Sequence, residues 1–203
     1  MAQLKMYWFT DSPLEILTLP DGYSFSHYSE KNRAADIRDW NECIKTWDVS
    51  DITDEERFTN EIFNFKDIVP ERDVWFLDYN GEHIGTATSF IFSDTGIGDM
   101  HWVGIKEAFR GKGLAKYLSF IVQKTLKDRG APFVSLTTNE WRAAAVKSYL
   151  TAGFLPVEYD EGMQERWEKV LAAYNTEKIQ MVNEDGTPFK IIYANAHTDE
   201  NNE

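Results

Sequence analysis

The sequence predicts an α+β fold, namely a three-layer αβα sandwich in which helices cover a mixed, mostly antiparallel central sheet. Two patterns lead to this prediction. Strand patterns joined by short turns follow one another in the middle of the chain, and strand and helix patterns alternate after them. Of the 203 residues, 42% are apolar and 14% are aromatic, so the chain can bury a sizeable core.

The first predicted elements are a strand and two helices. Residues 23–28 alternate between apolar and polar types after a Pro-Asp-Gly turn at residues 20–22, which predicts a strand. Residues 32–47 carry apolar side chains at helical spacing, and residues 54–65 open with an acidic first turn. Both segments are therefore predicted to be helical.

A meander of three antiparallel strands is predicted next. Residues 74–79 and 83–92 are apolar, β-branched and aromatic runs, and Asn80-Gly81 between them is a strong hairpin signal. Residues 93–99 contain two glycines and two aspartates and predict a second turn. The third strand then covers residues 101–105.

The remaining pattern alternates between helix and strand. Helices are predicted over residues 113–129 and 141–152, ended by Gly130 and Gly153, and an amphipathic helix over residues 163–174. Strands are predicted at the positions 133–137, 154–159, 179–182 and 189–193, of which the last two form a hairpin. Residues 195–203 read as a polar tail.

The charge of the chain excludes some classes of protein. Its 34 acidic and 21 basic residues give a net charge of −13, which argues against a nucleic-acid binder. No apolar run approaches the length of a membrane span, and the run at residues 5–9 is too short for a signal peptide, so we expect a cytoplasmic protein that does not enter membranes. Cys43 is the single cysteine and the four histidines lack metal-ligand spacing, so we expect no metal site.

One segment reverses this charge. Residues 106–130 hold seven basic and two acidic residues, a net charge of +5 against −18 for the rest of the chain. Within it, residues 110–115 form a glycine-rich turn between a predicted strand and a predicted helix, where exposed amides and the helix dipole favour phosphate. Lys116 breaks the dinucleotide pattern GxGxxG, and Gly113 after Lys112 breaks the Walker A pattern. A solvated basic helix face with an ordinary turn is the alternative.

Two motifs carry a resemblance to a known family. The run Arg-Gly-Lys-Gly-Leu-Ala at residues 110–115 matches the (Gln/Arg)-x-x-Gly-x-(Gly/Ala) signature of the GNAT superfamily of N-acetyltransferases. A second run, from Ala145 through Tyr149 to Gly153 and Phe154, is similar to the family helix that ends in Ala-x-x-x-Tyr-x-x-x-Gly-Phe. The resemblance spans about residues 22–174 and implies the acyl-CoA N-acyltransferase fold. It implies a GNAT domain at residues 22–175, with residues 1–21 and 176–203 as additions to the same unit.

The resemblance also implies a donor and the residues that bind it. The donor is acetyl-coenzyme A, whose pantetheine arm would pair with the strand at Val103, Gly104 and Ile105. Gly104 fits close approach by a ligand, and a β-bulge without a ligand is the alternative. The remaining cofactor-binding residues are Tyr149, Asn139 and the amides of the glycine-rich turn, namely Arg110, Gly111, Lys112, Gly113, Leu114 and Ala115. Arg142 stands where many family members carry Asn, which leaves the acceptor side open.

The acid–base roles follow from the chemistry of acetyl transfer to an amine. An alkylammonium titrates near ~10.4 and a thiol near ~8.5, so a base must serve the first and an acid can serve the second. Tyr149 matches the family tyrosine that donates to the sulfur of coenzyme A, although a tyrosine that only packs on its helix is the alternative. His101, expected on the strand face of Val103 and Ile105, is the predicted base, and a buried structural histidine is equally open. Glu82 and Glu140 are the fallback candidates for the base. A main-chain amide near Ile105 would stabilise the oxyanion.

The sequence therefore predicts an N-acetyltransferase that uses acetyl-coenzyme A in a ternary complex. Its acceptor is a small-molecule amine or a peptide N-terminus. A sensor that binds acyl-coenzyme A without transfer, and a binder of another phosphate ligand, are the alternatives. The C-terminal hairpin, within residues 179–193, could extend a sheet edge into a homodimer.

Overall fold

The computed structural model describes residues 2–45 and 52–194. Its strands are β1 (Leu4–Phe9), β2 (Tyr23–His27), β3 (Val74–Tyr79), β4 (Glu82–Ile91), β5 (Gly98–Ile105), β6 (Phe133–Thr138), β7 (Leu155–Glu158), β8 (Lys178–Asn183) and β9 (Pro188–Tyr193). Its helices are α1 (Arg33–Ile44), α2 (Asp54–Phe58), α3 (Pro70–Asp73), α4 (Ala115–Asp128), α5 (Ala143–Thr151) and α6 (Met163–Ala173). The end of the first predicted helix, at residues 46 and 47, and the polar tail lie outside the described residues.

The chain divides into two compact units. One comprises residues 9–135, and the other comprises residues 1–8 together with residues 136–203. A single GNAT domain over residues 22–175 stays a prediction.

The unit of residues 9–135 is a sheet with a helix on each face. Its strands lie in the order β2-β3-β4-β5-β6, in which the first three pairings are antiparallel and β5 pairs with β6 in parallel. The Cα of Gly104 faces Cys43 of α1, whereas Gly85, on the neighbouring strand, faces Leu118 of α4. Adjacent residues of a strand point to opposite faces, so α1 and α4 cover opposite faces of this sheet.

The core on the α1 side of this sheet is aromatic. Trp40 contacts Phe58 at 5.1 Å and Trp102 at 5.6 Å between ring centroids, in edge-on arrangements that aromatic rings favour. Ile37, Trp40 and Ile44 are fully buried, as the helical spacing of α1 predicts. The members of this cluster with less than a tenth of their surface exposed are Tyr28, Ile37, Trp40, Ile44, Phe58, Ile62, Ile68, Val74, Phe76 and Phe90.

The other unit has its own strand pairings. β1 pairs with β7 in antiparallel fashion, β7 with β8 in parallel, and β8 with β9 in antiparallel fashion. Helix α6 contacts β7 and β9 and buries Met163, Trp167 and Leu171, which are the residues that its amphipathic pattern marks.

The predicted fold class, an α+β fold with a mixed and mostly antiparallel sheet, is confirmed. Every strand and helix predicted between residues 23 and 193 is present among the described residues. Two differences have physical causes. In the sequence, residues 5–9 are recognised only as a short apolar run, and no strand is predicted there. Five of the six residues of β1 are apolar, which suits a strand that is buried on both faces. The second predicted helix changes after Phe58 from α-helical to π-helical hydrogen bonding over Thr59–Phe63.

None of the helices among the described residues has the length and apolar character that crossing a bilayer requires.

Candidate active site

The glycine-rich turn leads directly into α4. Gly111 and Gly113 have φ angles of +73° and +69°, in the left-handed region that side chains other than glycine rarely adopt. A Cβ at either glycine would meet no atom within 4 Å. Leu114, which precedes α4, provides no side-chain cap. Within the described part of the chain, the first amides of α4 thus have no side-chain acceptor at the N-cap and can receive an anion such as a pyrophosphate.

The ion pairs of this region concentrate its positive charge at the turn. Lys106 lies 3.1–3.3 Å from three carboxylates, and Arg129 lies 2.8 Å from Asp73. Lys124 is paired with Asp128. Lys106, Lys124 and Arg129 are thus each paired with neighbouring acids. The three carboxylates beside Lys106 belong to Asp39, Glu42 and Glu82.

Three further cations lie in or beside the turn. The Nε of Arg110 donates a hydrogen bond of 2.8 Å to the carbonyl oxygen of Ile105, which holds the turn against the end of β5. The Nζ atoms of Lys112 and Lys116 lie 4.8 and 4.9 Å from the rings of Phe109 and Tyr117. This placement favours an anionic ligand at the turn over a merely solvated basic face.

The structure gives a reason for a glycine at position 104 that the sequence did not reveal. A Cβ on this residue would lie 2.4 Å from the carbonyl oxygen of Cys43 in α1. The absent side chain therefore makes room for a helix, not for a ligand. Gly104 stays a predicted ligand-binding residue through its backbone alone.

The backbone of β5 is open along one edge. Among the described residues, its pairing with β6 consists of Gly98 with Val134 and Asp99 with Ser135. Past Asp99, the pairings found among the described residues join β5 to β4, so the amide and carbonyl groups on its other edge suit an extended ligand. This geometry supports the predicted pairing of Val103, Gly104 and Ile105 with a pantetheine arm.

A β-bulge changes the face on which His101 lies. Thr86 pairs with Gly104 but Thr88 pairs with His101, so β5 has one extra residue between these pairs. Trp102 in the bulge has a φ angle of +47°, a strained value for a large side chain. Paired residues share a face, so His101 lies on the α1 side with Gly104. The prediction that His101 shares the face of Ile105 is wrong, because a simple alternation fails across a bulge.

His101 is held in its neutral form. Its ring packs edge-on beside Phe90 and Trp102, with 6.5 and 5.1 Å between centroids, so that 38% of the side chain stays exposed, and its Nδ1 lies 3.8 Å from Oδ1 of Asp99. Burial of the ring lowers its pKa from 6.5 to about 4. A neutral imidazole has a free lone pair at neutral pH, as a base requires, but a pKa this low makes it a weak one.

Asp99 was not among the predicted site residues. Burial raises the pKa of its carboxyl from 3.8 to about 7, against the effect of Ser135, whose hydroxyl donates a hydrogen bond of 2.6 Å to Oδ2. The sequence places Asp99 in a predicted turn, whereas β5 begins at Gly98. The alternation of Asp99 with His101 is the signal that could have identified it.

The two fallback bases have structural partners. Glu82 forms an exposed ion pair with Lys106 at 3.3 Å. Glu140 pairs with Arg166 at 2.5 Å, and this guanidinium lowers the pKa of the Glu140 carboxyl. Carboxylates stabilised by a cation are poorer bases.

Tyr149 and Asn139 belong to the other unit. Tyr149 lies buried on α5, and burial raises its pKa to about 12, while the charge of Arg142 opposes this shift. Its phenol therefore stays protonated at neutral pH, as an acid must. Arg142 precedes α5, stacks its guanidinium 4.8 Å from the ring of Trp141, and donates its amide to the carbonyl of Asn139 at 3.0 Å.

Cys43 is a structural residue. Its side chain is fully buried on α1, and burial raises the pKa of its thiol to about 12. Since reactive thiols need a lowered pKa, Cys43 behaves as a small apolar residue of the core.

Several known proteins are similar to this chain in sequence and in fold. A mycothiol acetyltransferase from Thermomonospora curvata is 27% identical over 148 residues, which are 71% of this chain and 48% of that protein. The crystal structure of a GCN5-related N-acetyltransferase from Sphaerobacter thermophilus matches with a TM-score of 0.61 and 22% identity, over 75% of this chain and 47% of that one. An aminoglycoside N-acetyltransferase, determined in complex with CoA, matches with a TM-score of 0.51 and 16% identity, over 72% of this chain and 94% of that one.

These likenesses confirm the predicted fold, and this chain spans about half the length of the first two proteins. The profile of the Acetyltransferase (GNAT) family matches residues 34–154, which include the glycine-rich turn and the helix of Tyr149. Acetyl-coenzyme A is the acetyl donor of this family. More than half of the chain thus carries the family's pattern, and the chain belongs to the GNAT family of acetyltransferases.

Proposed function

We propose that this chain transfers an acetyl group from acetyl-coenzyme A to a primary amine by direct attack in a ternary complex. The observation that carries the proposal is the start of α4, which follows two left-handed glycines, has no side-chain cap from Leu114, and lies in the segment of Arg110, Lys112 and Lys116. An anion with several phosphates fits this arrangement of charge and backbone. The donor supplies an activated acetyl thioester.

The residues of the turn and of β5 would hold the donor. The amides of residues 110–115 would bind its pyrophosphate, with Lys112 and Lys116 as nearby cations. The edge of Val103, Gly104 and Ile105 that faces away from β4 would pair with its pantetheine arm, although the Ile105 carbonyl oxygen already accepts a hydrogen bond from Arg110. An amide near Ile105 would stabilise the developing oxyanion.

Proton transfers complete the proposed reaction. His101 would take a proton from the amine, directly or through water, because its ring is neutral at the pH at which acceptors are partly ionised. Tyr149 would give a proton to the leaving sulfur, because its high pKa keeps the phenol protonated. No covalent enzyme intermediate is proposed, and the buried Cys43 thiol has no character of a nucleophile.

The acceptor is proposed to be a small-molecule amine or a peptide N-terminus. One of the solved structures with a similar fold is named an aminoglycoside N-acetyltransferase. This name supports an amine as the acceptor class but does not indicate which amine this chain uses. The likeness of that structure extends over 72% of this chain.

An acyl-coenzyme A sensor without transferase activity is the second candidate. The low pKa of His101 and the ion-paired state of Glu140 favour it, since both features weaken the available bases. The two candidates share the donor site and differ only in turnover.

A two-step assay tests the proposal. Thermal stabilisation by acetyl-coenzyme A measures binding, and release of free thiol with a panel of amines measures transfer. Stabilisation together with amine-dependent thiol release supports the enzyme. Stabilisation without thiol release across small amines, polyamines, aminoglycosides and peptide N-termini supports the sensor.

We also propose a homodimer formed through β9, and a cytoplasmic location. Phe189, Ile191 and Tyr193 are 43–56% exposed at alternating positions of β9, which pairs with β8 along one edge. Among the residues that the structure describes, β9 is the last strand of its sheet, and exposed apolar side chains on such a strand favour pairing with a second chain.

A further inference from the structure

Asp99, His101 and Ser135 form a polar cluster next to the bulge of β5. Asp99 and His101 share the α1 face of the sheet, because each pairs with a β4 residue of the same face, Phe90 and Thr88. Oδ1 of Asp99 faces Nδ1 of His101 at 3.8 Å, and Oδ2 accepts the 2.6 Å hydrogen bond of Ser135. The two oxygens of this carboxylate thus have different partners.

Within residues 2–45 and 52–194, no lysine or arginine is among the groups that shift the pKa of the Asp99 carboxyl. Burial and the Ser135 hydroxyl are the two causes that set the pKa of this carboxyl. The acids of α1 are bound elsewhere, Asp36 near His83 at 3.5 Å and the others at Lys106. On the α4 face, Arg129 is bound to Asp73. In the part of the chain that the structure describes, the ionisable side chain paired with Asp99 is therefore His101.

We propose that Asp99 is the final acceptor of the amine proton, with His101 as the group that passes the proton on and Ser135 as a positioning residue. This inference rests on the proposed acetyl transfer. The ammonium proton goes to Nε2 of His101, while the proton of Nδ1 goes to Oδ1 of Asp99. The amine becomes neutral, the imidazole stays neutral with its tautomer exchanged, and the carboxylate becomes a carboxylic acid.

The distance of 3.8 Å is longer than a hydrogen bond, so the second transfer needs a small rotation of the imidazole or one bridging water. Either is compatible with a side chain that is 38% exposed. After the acetyl group has moved, the protonated Asp99 returns its proton to solvent by the same route.

The pH dependence distinguishes this arrangement from a lone histidine. If Asp99 must be ionised, activity rises with pH through about 7, the pKa of its carboxyl. If His101 alone is the base, the rise falls near its own pKa, about 4. Two acceptor amines of different pKa identify the rising limb of the pH–rate profile that belongs to the enzyme. A limb caused by ionisation of the amine moves when the acceptor is changed, whereas the enzyme's limb stays in place.

The test compares Ser135→Ala and Asp99→Asn with the unchanged protein in profiles of kcat/KM against pH. Removal of the Ser135 hydroxyl removes a hydrogen bond that lowers the pKa of Asp99, so the limb moves to higher pH by about one unit. Asp99→Asn removes the enzyme limb and lowers kcat by about 100-fold or more. Ser119→Ala, at another buried serine on α4, is the matched control and keeps the limb in place.

The results separate the two levels of the account. An unmoved limb in a folded Ser135→Ala protein, or a limb that persists in Asp99→Asn, overturns the role of Asp99. Because Ser135→Ala is a mild change, it decides the matter even if Asp99→Asn fails to fold. Absence of thiol release with every amine overturns the proposed function instead.

Discussion

At the scale of single residues, the left-handed glycines of the turn shape the proposed donor site. Gly113 has a φ angle of +69° and open space where a side chain would project. A residue with a Cβ would strain the backbone there, and a long side chain would occupy the space of a phosphate.

We predict that Gly113→Glu abolishes binding of acetyl-coenzyme A. The new carboxylate would repel the pyrophosphate, and the side chain would block its approach. Titration calorimetry with the donor measures the effect. The matched control is Gly96→Glu, at a glycine with a φ angle of +74° and equally open surroundings in the turn before β5. Undiminished binding by Gly113→Glu would remove the turn from the site.

Tyr149→Phe is predicted to lower kcat while the affinity for acetyl-coenzyme A stays nearly unchanged. The phenol is proposed to act only when the sulfur leaves, so its loss affects turnover by about 10²- to 10⁴-fold. Steady-state kinetics and a binding titration on the same sample separate the two quantities. Tyr174→Phe, after α6 in the same unit, is the control. Equal kcat values for both variants would contradict an acid role for Tyr149.

The contiguous part of the candidate site, the glycine-rich turn, is visible in the sequence, and the part assembled from distant residues is not. The glycine-rich turn is one run of residues whose chemistry is visible in the letters. The face of His101 and the proposed role of Asp99 depend on the bulge between His101 and Gly104; Gly104 allowed a bulge as one interpretation, but the sequence does not say which side chains the bulge turns over. Glu82 and Glu140 looked available because their partners, Lys106 and Arg166, lie 24 and 26 residues away in sequence.

At the scale of elements, the packing of α1 against β5 connects the core to the candidate site. The end of α1 approaches Gly104 so closely that a Cβ would lie 2.4 Å from the Cys43 carbonyl oxygen. Lys106 adds ion pairs from the end of β5 to Asp39 and Glu42 of α1. The position of β5, and with it the edge proposed for pantetheine, depends on this contact.

We predict that Gly104→Ala lowers the free energy of unfolding by about 1–3 kcal/mol, because the backbone of α1 or β5 must move. Gly85→Ala on the adjacent strand is the control, since its closest contact would be 3.2 Å. Both substitutions restrict the unfolded chain equally, so the difference isolates the clash. Urea denaturation measures it, and equal stability of the two variants would contradict the tight contact.

The element order was predictable because turns and periodicity are local signals. The hairpin at Asn80-Gly81 and the helix ends at Gly130 and Gly153 illustrate this. β1 was missed because a strand buried on both faces lacks alternation, and the π-helical turn over Thr59–Phe63 has no simple pattern in its sequence.

At the scale of the whole molecule, the chain has a net charge of −13 but includes one basic segment, residues 106–130, around the glycine-rich turn. Three of its cations neutralise acids of the fold, and Arg110, Lys112 and Lys116 lie at the turn. Family membership was predictable because two motifs occur in order, and it is confirmed by a match over residues 34–154. The acceptor was not predictable, because no motif of the chain describes it.

A dimer through β9 predicts a concentration-dependent association that Ile191→Lys abolishes. A charge on the exposed face of β9 opposes pairing with an identical strand. Sedimentation velocity measures the association. Ile16→Lys, at an apolar residue that is 71% exposed outside the strands, is the control and leaves it unchanged. A monomeric wild-type protein at all concentrations would contradict the dimer.

The central claim is that the chain moves an acetyl group from acetyl-coenzyme A to an amine. The most direct measurement follows free thiol and N-acetylated product together, with labelled acetyl-coenzyme A and a broad panel of amines. The account predicts thiol release that requires an amine and matches the acetylated product mole for mole. Firm binding of acetyl-coenzyme A with no acetylated product from any amine would contradict it.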